Sequence, residues 1–156
     1  NLYKDEKTTL RDLDKIWDNY NKTRIDFQIK NLLKDPEFWW YIGIWLAEGW
    51  VYTNSKGYKT IHTTHNNLTE LKYLERINNL FERYNRNVSY TNKGNNCFEA
   101  KLSSSQIHDF LLENFGKYAS GKNIPEWAKY IPKNLKLKLL EGYLNGDGCT
   151  FVDGRR

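Results

Sequence analysis

Two apolar segments constrain the fold of this chain more than any other feature of the sequence. Residues 38–49 read FWWYIGIWLAEG and residues 139–148 read LLEGYLNGDG. Each contains two small residues four positions apart, which are Gly43 and Ala47 in the first segment and Gly142 and Gly146 in the second. Residues i and i+4 share one face of a helix, and a face of small residues lets two helix backbones approach closely. The pattern therefore predicts two helices that pack against each other in parallel.

Each segment ends in an acidic residue followed by glycine, Glu48-Gly49 in the first and Asp147-Gly148 in the second. A glycine commonly follows the last turn of a helix, so both acids are expected at helix ends. In a parallel pair the two carboxylates would lie side by side, and a divalent cation is the usual partner of such a pair. Glu48 and Asp147 are therefore candidate ligands of Mg²⁺ or Mn²⁺. The alternative is two buried helices with glycine caps and acids that have no function.

The two segments resemble the paired motif of the LAGLIDADG homing endonucleases. The residues that match the motif are Gly43, Ala47, Glu48 and Gly49 in the first segment and Gly142, Asp147 and Gly148 in the second. The acids at positions 48 and 147 are 99 residues apart, which suits one α-β-β-α-β-β-α repeat of that family. A single match of this kind is weak, because apolar runs that end in an acid and a glycine are common; the pair is more specific.

The resemblance implies an α+β fold with a saddle-shaped antiparallel sheet whose open face lies on double-stranded DNA. It implies a site-specific endonuclease of the intein-encoded type, which binds a long target site and hydrolyses phosphodiester bonds with Mg²⁺ or Mn²⁺. The implied catalytic residues are Glu48, Asp147 and Lys122. Lys122 is included because residues 121–125, GKNIP, are similar to a lysine element that precedes Ile-Pro in intein-type members. A lysine in a solvated loop is the alternative for Lys122.

The same resemblance divides the chain into three parts. Residues 1–34 would form an N-terminal extension or linker, residues 35–131 the first repeat, and residues 132–156 a second motif helix with the start of a truncated second repeat. The remainder of that repeat would come from the same or another chain. Two rival functions stand beside the endonuclease. One is a protein of this fold that binds nucleic acid without cutting it, such as an RNA maturase or a DNA-binding regulator, and the other is an inactive remnant.

Periodicity predicts the remaining elements. The predicted helices cover residues 8–20, 35–48, 68–84, 104–115 and 133–147, and the predicted strands cover residues 50–53, 58–64, 87–92 and 97–103. In the last strand Phe98, Ala100 and Leu102 alternate with polar residues, so one face of the sheet is expected to be polar. Alternation alone predicts only a solvated face.

The resemblance implies that this polar face contacts DNA, since a two-stranded ribbon fits the major groove. The implied DNA-binding residues are Tyr52, Asn54, Lys59, His62, Ser89, Thr91, Lys93, Glu99 and Lys101. His62 also forms a spaced pair with His65, but the pair lacks the second cluster that a metal site of this kind needs, so a structural or DNA-facing role is favoured.

The composition of the 156 residues is compatible with a polyanionic partner, because Lys and Arg exceed Asp and Glu by 24 to 19. The N-terminus lacks the pattern of a signal peptide, and the apolar run at residues 38–47 is far shorter than the roughly 20 residues of a membrane span. The two cysteines, Cys97 and Cys149, show no metal-type spacing and are expected to be reduced thiols. These features predict an intracellular protein, cytoplasmic or nucleoid-associated, that does not enter a membrane.

Overall fold

The computed structural model describes residues 7–21, 26–116 and 121–146. Its helices are α1 (Leu10–Asp18), α2 (Pro36–Glu48), α3 (Leu71–Glu82), α4 (Ser105–Phe115) and α5 (Lys133–Asn145), and its strands are β1 (Gly49–Thr53), β2 (Lys59–Asn66), β3 (Val88–Gly94) and β4 (Cys97–Ser103). Short 3-10 helices cover Phe27–Ile29, Leu32–Lys34 and Glu126–Tyr130. From α2 to α4 the order is α-β-β-α-β-β-α, and the predicted α+β class is confirmed. Residues 147–156, where the truncated repeat was expected to begin, lie outside the described residues.

The sheet has four antiparallel strands in the order β1-β2-β4-β3. Val51 pairs with Ile61, Ile61 pairs with Leu102, and Leu102 pairs with Val88, so these four apolar residues form one row across the sheet. The row belongs to the hydrophobic core, which lies between the sheet and the helices. Because successive side chains of a strand point to opposite faces, the residues between these apolar positions form the other face.

Helix α2 begins with strong capping. The side chain of Asp35 accepts a hydrogen bond from the backbone N–H of Glu37 at 2.9 Å, and Pro36 occupies the first turn, where its missing N–H costs nothing. Asp35 is also held by the hydroxyl of Tyr84, which donates to it at 2.6 Å. All residues from Phe38 to Trp45 are buried, which explains why this helix is apolar on every side.

Helices α2 and α5 touch through their backbones. A Cβ atom built on Gly43 would lie 2.2 Å from the carbonyl oxygen of Leu139, and one built on Gly142 would lie 1.9 Å from that of Trp40. Further along the pair, a Cβ on Gly146 would lie 2.5 Å from the Cβ of Ala47. The structure therefore brings the four small residues of the two segments together, with the helices running in parallel.

The N-terminal segment packs into the same core as the rest of the chain. Its buried apolar residues are Leu13, Trp17, Ile29, Leu32 and Leu33. Thr9 caps α1 in a reciprocal arrangement with Asp12, and the backbone N–H of Thr8 donates to the carbonyl of Tyr130 at 2.9 Å. The described part of residues 1–34 is therefore a layer of the fold and does not stand apart from it.

The structure also bears on the membrane and the cysteines. Within the described residues, no helix is long and apolar enough to cross a membrane. Cys97, which is buried at the start of β4, is disulfide-bonded. The prediction of a reduced thiol is therefore wrong for Cys97, and Cys149 lies outside the described residues.

Candidate nucleic-acid interface

The sheet face that points away from the helices, called the open face below, gathers most of the predicted DNA-binding residues. Trp50, His62, Lys101 and Ser89 form one row across the four strands. The neighbouring rows contain Tyr52 with Thr60 and Ser103 on one side, and Thr64 with Glu99 and Thr91 on the other. Lys93 lies at an irregularity of β3 between Asn92 and Gly94, and its ammonium shares the face because it lies 3.3 Å from the carboxylate of Glu99. The open face is therefore polar, as the alternation predicted.

Two of the predicted residues lie elsewhere. Lys59 points to the helix side of the sheet, where its ammonium forms an ion pair with Asp109 of α4 at 2.8 Å. Asn54 lies in the β1–β2 turn, and its side chain accepts hydrogen bonds from the backbone N–H groups of Lys56 and Tyr58, both at 2.9 Å. These contacts give Lys59 a role in joining sheet to helix and give Asn54 a role in shaping the turn.

A charged network crosses the open face. The Nδ1 atom of His62 contacts the carboxylate of Glu99, the ammonium of Lys93 lies 3.3 Å from the other oxygen of that carboxylate, and the Nε2 of His62 lies 2.7 Å from the hydroxyl of Thr60. Burial of Glu99 opposes its ionisation, but the hydrogen bond from His62 and the charge of Lys93 outweigh burial and lower the pKa of Glu99. The acid on this face is therefore ionised, hydrogen-bonded to His62 and paired with the ammonium of Lys93.

Trp50 is a member of the open face that the sequence reasoning missed. Its indole lies parallel to the imidazole of His62, with an interplanar angle of 2° and ring centroids 5.1 Å apart. Tyr52, two residues further along β1, meets the same imidazole edge-on at 6.5 Å and is 54% exposed. The sequence could have identified Trp50, because it lies two positions from Tyr52 on the same strand and therefore on the same face of the sheet.

Lys122 and Glu48, two of the predicted catalytic residues, lie at the end of α2. The ammonium of Lys122 donates to the carbonyl oxygens of Trp45 at 2.8 Å, Leu46 at 3.3 Å and Gly49, so it caps the last turn of the helix. Burial lowers the pKa of Lys122 to about 8, although the nearby charge of Glu48 acts in the opposite direction. Lys122 is thus a partly buried residue that caps the helix. The alternative of a lysine in a solvated loop does not describe it.

Only one of the two predicted metal ligands, Glu48, lies within the described residues. Glu48 is buried at the end of α2, and Asp147 lies outside the described residues. Within residues 7–21, 26–116 and 121–146, no group of three His, Cys, Asp or Glu side chains could hold a metal ion. The pairing of Glu48 with Asp147 around Mg²⁺ or Mn²⁺ stays a prediction.

The two histidines of the predicted pair have different surroundings. His62 is on the open face, whereas His65 is buried on the helix side, 2.8 Å from the hydroxyl of Thr63 and against the rings of Phe98 and Tyr73. Burial lowers the pKa of His65 from its ordinary value near 6.5 to about 4, because the apolar surroundings disfavour the imidazolium. Of the two roles foreseen for the pair, the structural one suits His65.

Acid is therefore expected to destabilise the fold through His65. Between pH 6.5 and 4 the unfolded state binds a proton at this residue and the folded state does not, so stability falls as pH falls, by roughly 2 kcal/mol at pH 4.5. His65→Gln keeps a hydrogen-bonding side chain but does not titrate. Urea unfolding of both proteins at pH 7, 6, 5 and 4.5 measures the effect, and equal pH dependence in the two proteins would contradict the assignment.

Comparison with known proteins adds one relationship. No family model matches the chain. The chain is 31% identical over 126 residues to the DNA-directed RNA polymerase subunit Rpo1C of Methanocaldococcus jannaschii, a match that covers 79% of this chain. The same match spans 14% of the length of that relative. The similarity therefore relates this chain to a small part of a much longer protein.

This match corrects the assignment made from the two apolar segments. The relative is named as an RNA polymerase subunit and not as a homing endonuclease. The assignment to the LAGLIDADG family is therefore wrong, and with it the predicted metal-dependent DNA cleavage and the intein origin. The maturase, regulator and remnant alternatives, which assumed the same family, are not supported either. Small residues that let helices approach closely have a packing role in any fold, so the pattern does not identify an activity.

Proposed function

We propose that this chain is a domain of a transcription protein and that it contacts DNA with the open face of its sheet. The observation that carries the proposal is the open face itself, which is polar, carries the exposed side chains of Tyr52 and Lys93, and lies on the side of the sheet opposite the described helices. The similarity to a subunit named as DNA-directed supports a place in transcription. Because the match covers a small share of that subunit, the proposal concerns a domain and not the activity of a whole polymerase.

The charge and chemistry of the open face suit a nucleic-acid backbone. Lys101 lies at the centre of the sheet, between His62 and Ser89, and Lys93 lies at the edge. Glu99 is the acidic residue among the described side chains of this face, and its carboxylate is hydrogen-bonded to His62 and paired with the ammonium of Lys93. Hydroxyl groups on the neighbouring positions can donate to phosphate oxygens, which take most of the hydrogen bonds in protein–DNA complexes.

Exposed apolar side chains on α5 support a place within a larger assembly. Leu137, Leu140, Tyr143 and Leu144 are each more than half exposed. They lie beside the buried positions through which α5 contacts α2, so the helix is apolar on two sides. Exposed apolar patches on a stable domain usually mark contacts with other protein surfaces.

Removal of the two lysines of the open face is expected to weaken DNA binding and its dependence on salt. Each phosphate contact releases a counterion, so Lys93→Ala combined with Lys101→Ala is expected to flatten the plot of log K against log salt by about two units of slope. Fluorescence anisotropy with labelled DNA at several salt concentrations measures the slope. Lys133→Ala with Lys136→Ala, two exposed lysines on α5, is the control with the same change in net charge. Equal slopes in the two double variants would place the DNA elsewhere or exclude it.

A further inference from the structure

The aromatic side chains of β1 add a function to the open face that its lysines do not explain. We infer that the open face takes an unpaired DNA strand, and that Trp50 and Tyr52 stack on two of its bases. The inference rests on the proposed contact with DNA and names the form of DNA that the face fits. Aromatic side chains on an antiparallel sheet are a common platform for the bases of a single strand, because every base presents a π-face.

The spacing of the two aromatic residues favours a single strand over a duplex. Trp50 and Tyr52 are two positions apart on one strand, a separation of about 7 Å along β1. Bases in a duplex are about 3.4 Å apart and are covered on both faces by their neighbours. A single strand can spread its bases to the wider spacing and expose their faces, whereas a duplex must first be unstacked. The pair therefore matches the chemistry of unpaired bases.

The platform is held in place before any ligand arrives. Trp50 stacks on His62, and His62 is fixed from both ring nitrogens, by Thr60 on one side and by Glu99 on the other. A ring whose position is fixed loses little conformational entropy on binding, so more of the stacking energy appears as affinity. Tyr52 is more than half exposed and supplies the second aromatic surface.

The lysines of the open face lie where the sugar–phosphate backbone of such a strand would run. Lys101 is in the same row as Trp50, with His62 between them, so it lies two strands from the indole. A nucleotide whose base stacks at the β1 edge extends its phosphate toward the middle of the sheet, within reach of a flexible lysine side chain. The charge of Lys101 is thus complementary to the ligand, and Ser89 lies beyond it in the row.

The test compares an oligo-dT strand of about 15 nucleotides with a duplex of equal length by fluorescence anisotropy. The full chain is expected to bind the single strand more tightly. Tyr52→Ala is expected to weaken single-strand binding about 10-fold, because the stacking of one base on an aromatic side chain is lost. Duplex affinity is expected to fall by a smaller factor, because bases stacked inside a duplex do not offer their faces to the ring, and Tyr52→Phe, which keeps the ring, is expected to bind both ligands as the parent does. Tyr143→Ala is the matched control, because Tyr143 is 53% exposed on α5.

Trp50→Leu gives a second test, with circular dichroism to establish that the variant is folded. It is expected to lower single-strand affinity by a similar factor. The inference of a stacking platform is wrong if the folded Tyr52→Ala and Trp50→Leu proteins both bind oligo-dT as tightly as the parent. It is also wrong if the parent binds the single strand and the duplex equally. In both cases the proposed contact with DNA remains. If the parent binds neither ligand, the proposed function itself is wrong.

Discussion

Gly142→Leu is expected to destabilise the fold by about 3 kcal/mol or more, since overpacking of a close contact costs this much when nothing can move aside. Even a single added carbon at Gly142 would lie 1.9 Å from the carbonyl oxygen of Trp40 and 3.0 Å from the backbone nitrogen of Ile44. Both neighbours are backbone atoms of α2, which is buried all round, so the helices must separate. Urea unfolding of parent and variant measures the loss.

The control for this substitution is Gly121→Leu. A Cβ at Gly121 would meet no atom within 4 Å, and its backbone is not in the left-handed region. The control is expected to change the free energy of unfolding by no more than about 0.5 kcal/mol, as exposed substitutions usually do. Similar unfolding midpoints for the Gly142 and Gly121 variants would contradict the close backbone contact between α2 and α5.

The elements of this fold were predictable because local signals agree with the tertiary structure. The helix predicted over residues 35–48 begins where the local chemistry favours it, because Asp35 is the N-cap and Pro36 occupies the first turn. Alternation in residues 97–103 placed Phe98 toward the core and Lys101 on the open face. The same rule, applied to β2, places Lys59 on the side of Ile61 and therefore away from the open face. The sequence thus contained the information that separates Lys59 from the other candidates.

Contacts between distant parts of the chain could not be read from local pattern. Periodicity indicated a helix around Leu13 and Trp17, but nothing local indicates that these residues share a core with Phe110. The contact between Glu99 and His62 could not be read from local pattern either, because His62 lies on another strand and the strand order brings the two residues together. Lys122 is 77 residues from the carbonyl of Trp45 that it caps. In each case the chain must fold before the residues that act together become neighbours.

The wrong family assignment has a physical explanation as well. Close packing of two helices selects small residues four apart, and glycine after a helix end is favoured for its backbone freedom. Gly43, Ala47, Gly142 and Gly146 meet the first requirement through packing alone. Two segments can therefore match the small residues of a functional motif without sharing the activity of the proteins that carry it. Residues that touch a ligand carry the functional information, and in this chain those candidates lie on the open face.

Phe110→Ala is expected to cost about 3–5 kcal/mol, which is the usual loss when a buried phenylalanine is truncated and a cavity remains. The Phe110 ring joins three parts of the chain, because its centroid lies 5.4 Å from that of Trp17 in α1, 6.3 Å from that of Phe38 in α2 and 6.2 Å from that of Trp127. Phe27→Ala, at a position 76% exposed, is the matched control and is expected to change stability by less than about 0.5 kcal/mol. Urea unfolding followed by circular dichroism measures both, and a loss below about 1 kcal/mol for Phe110→Ala would mean that α1, α2 and α4 do not share one core.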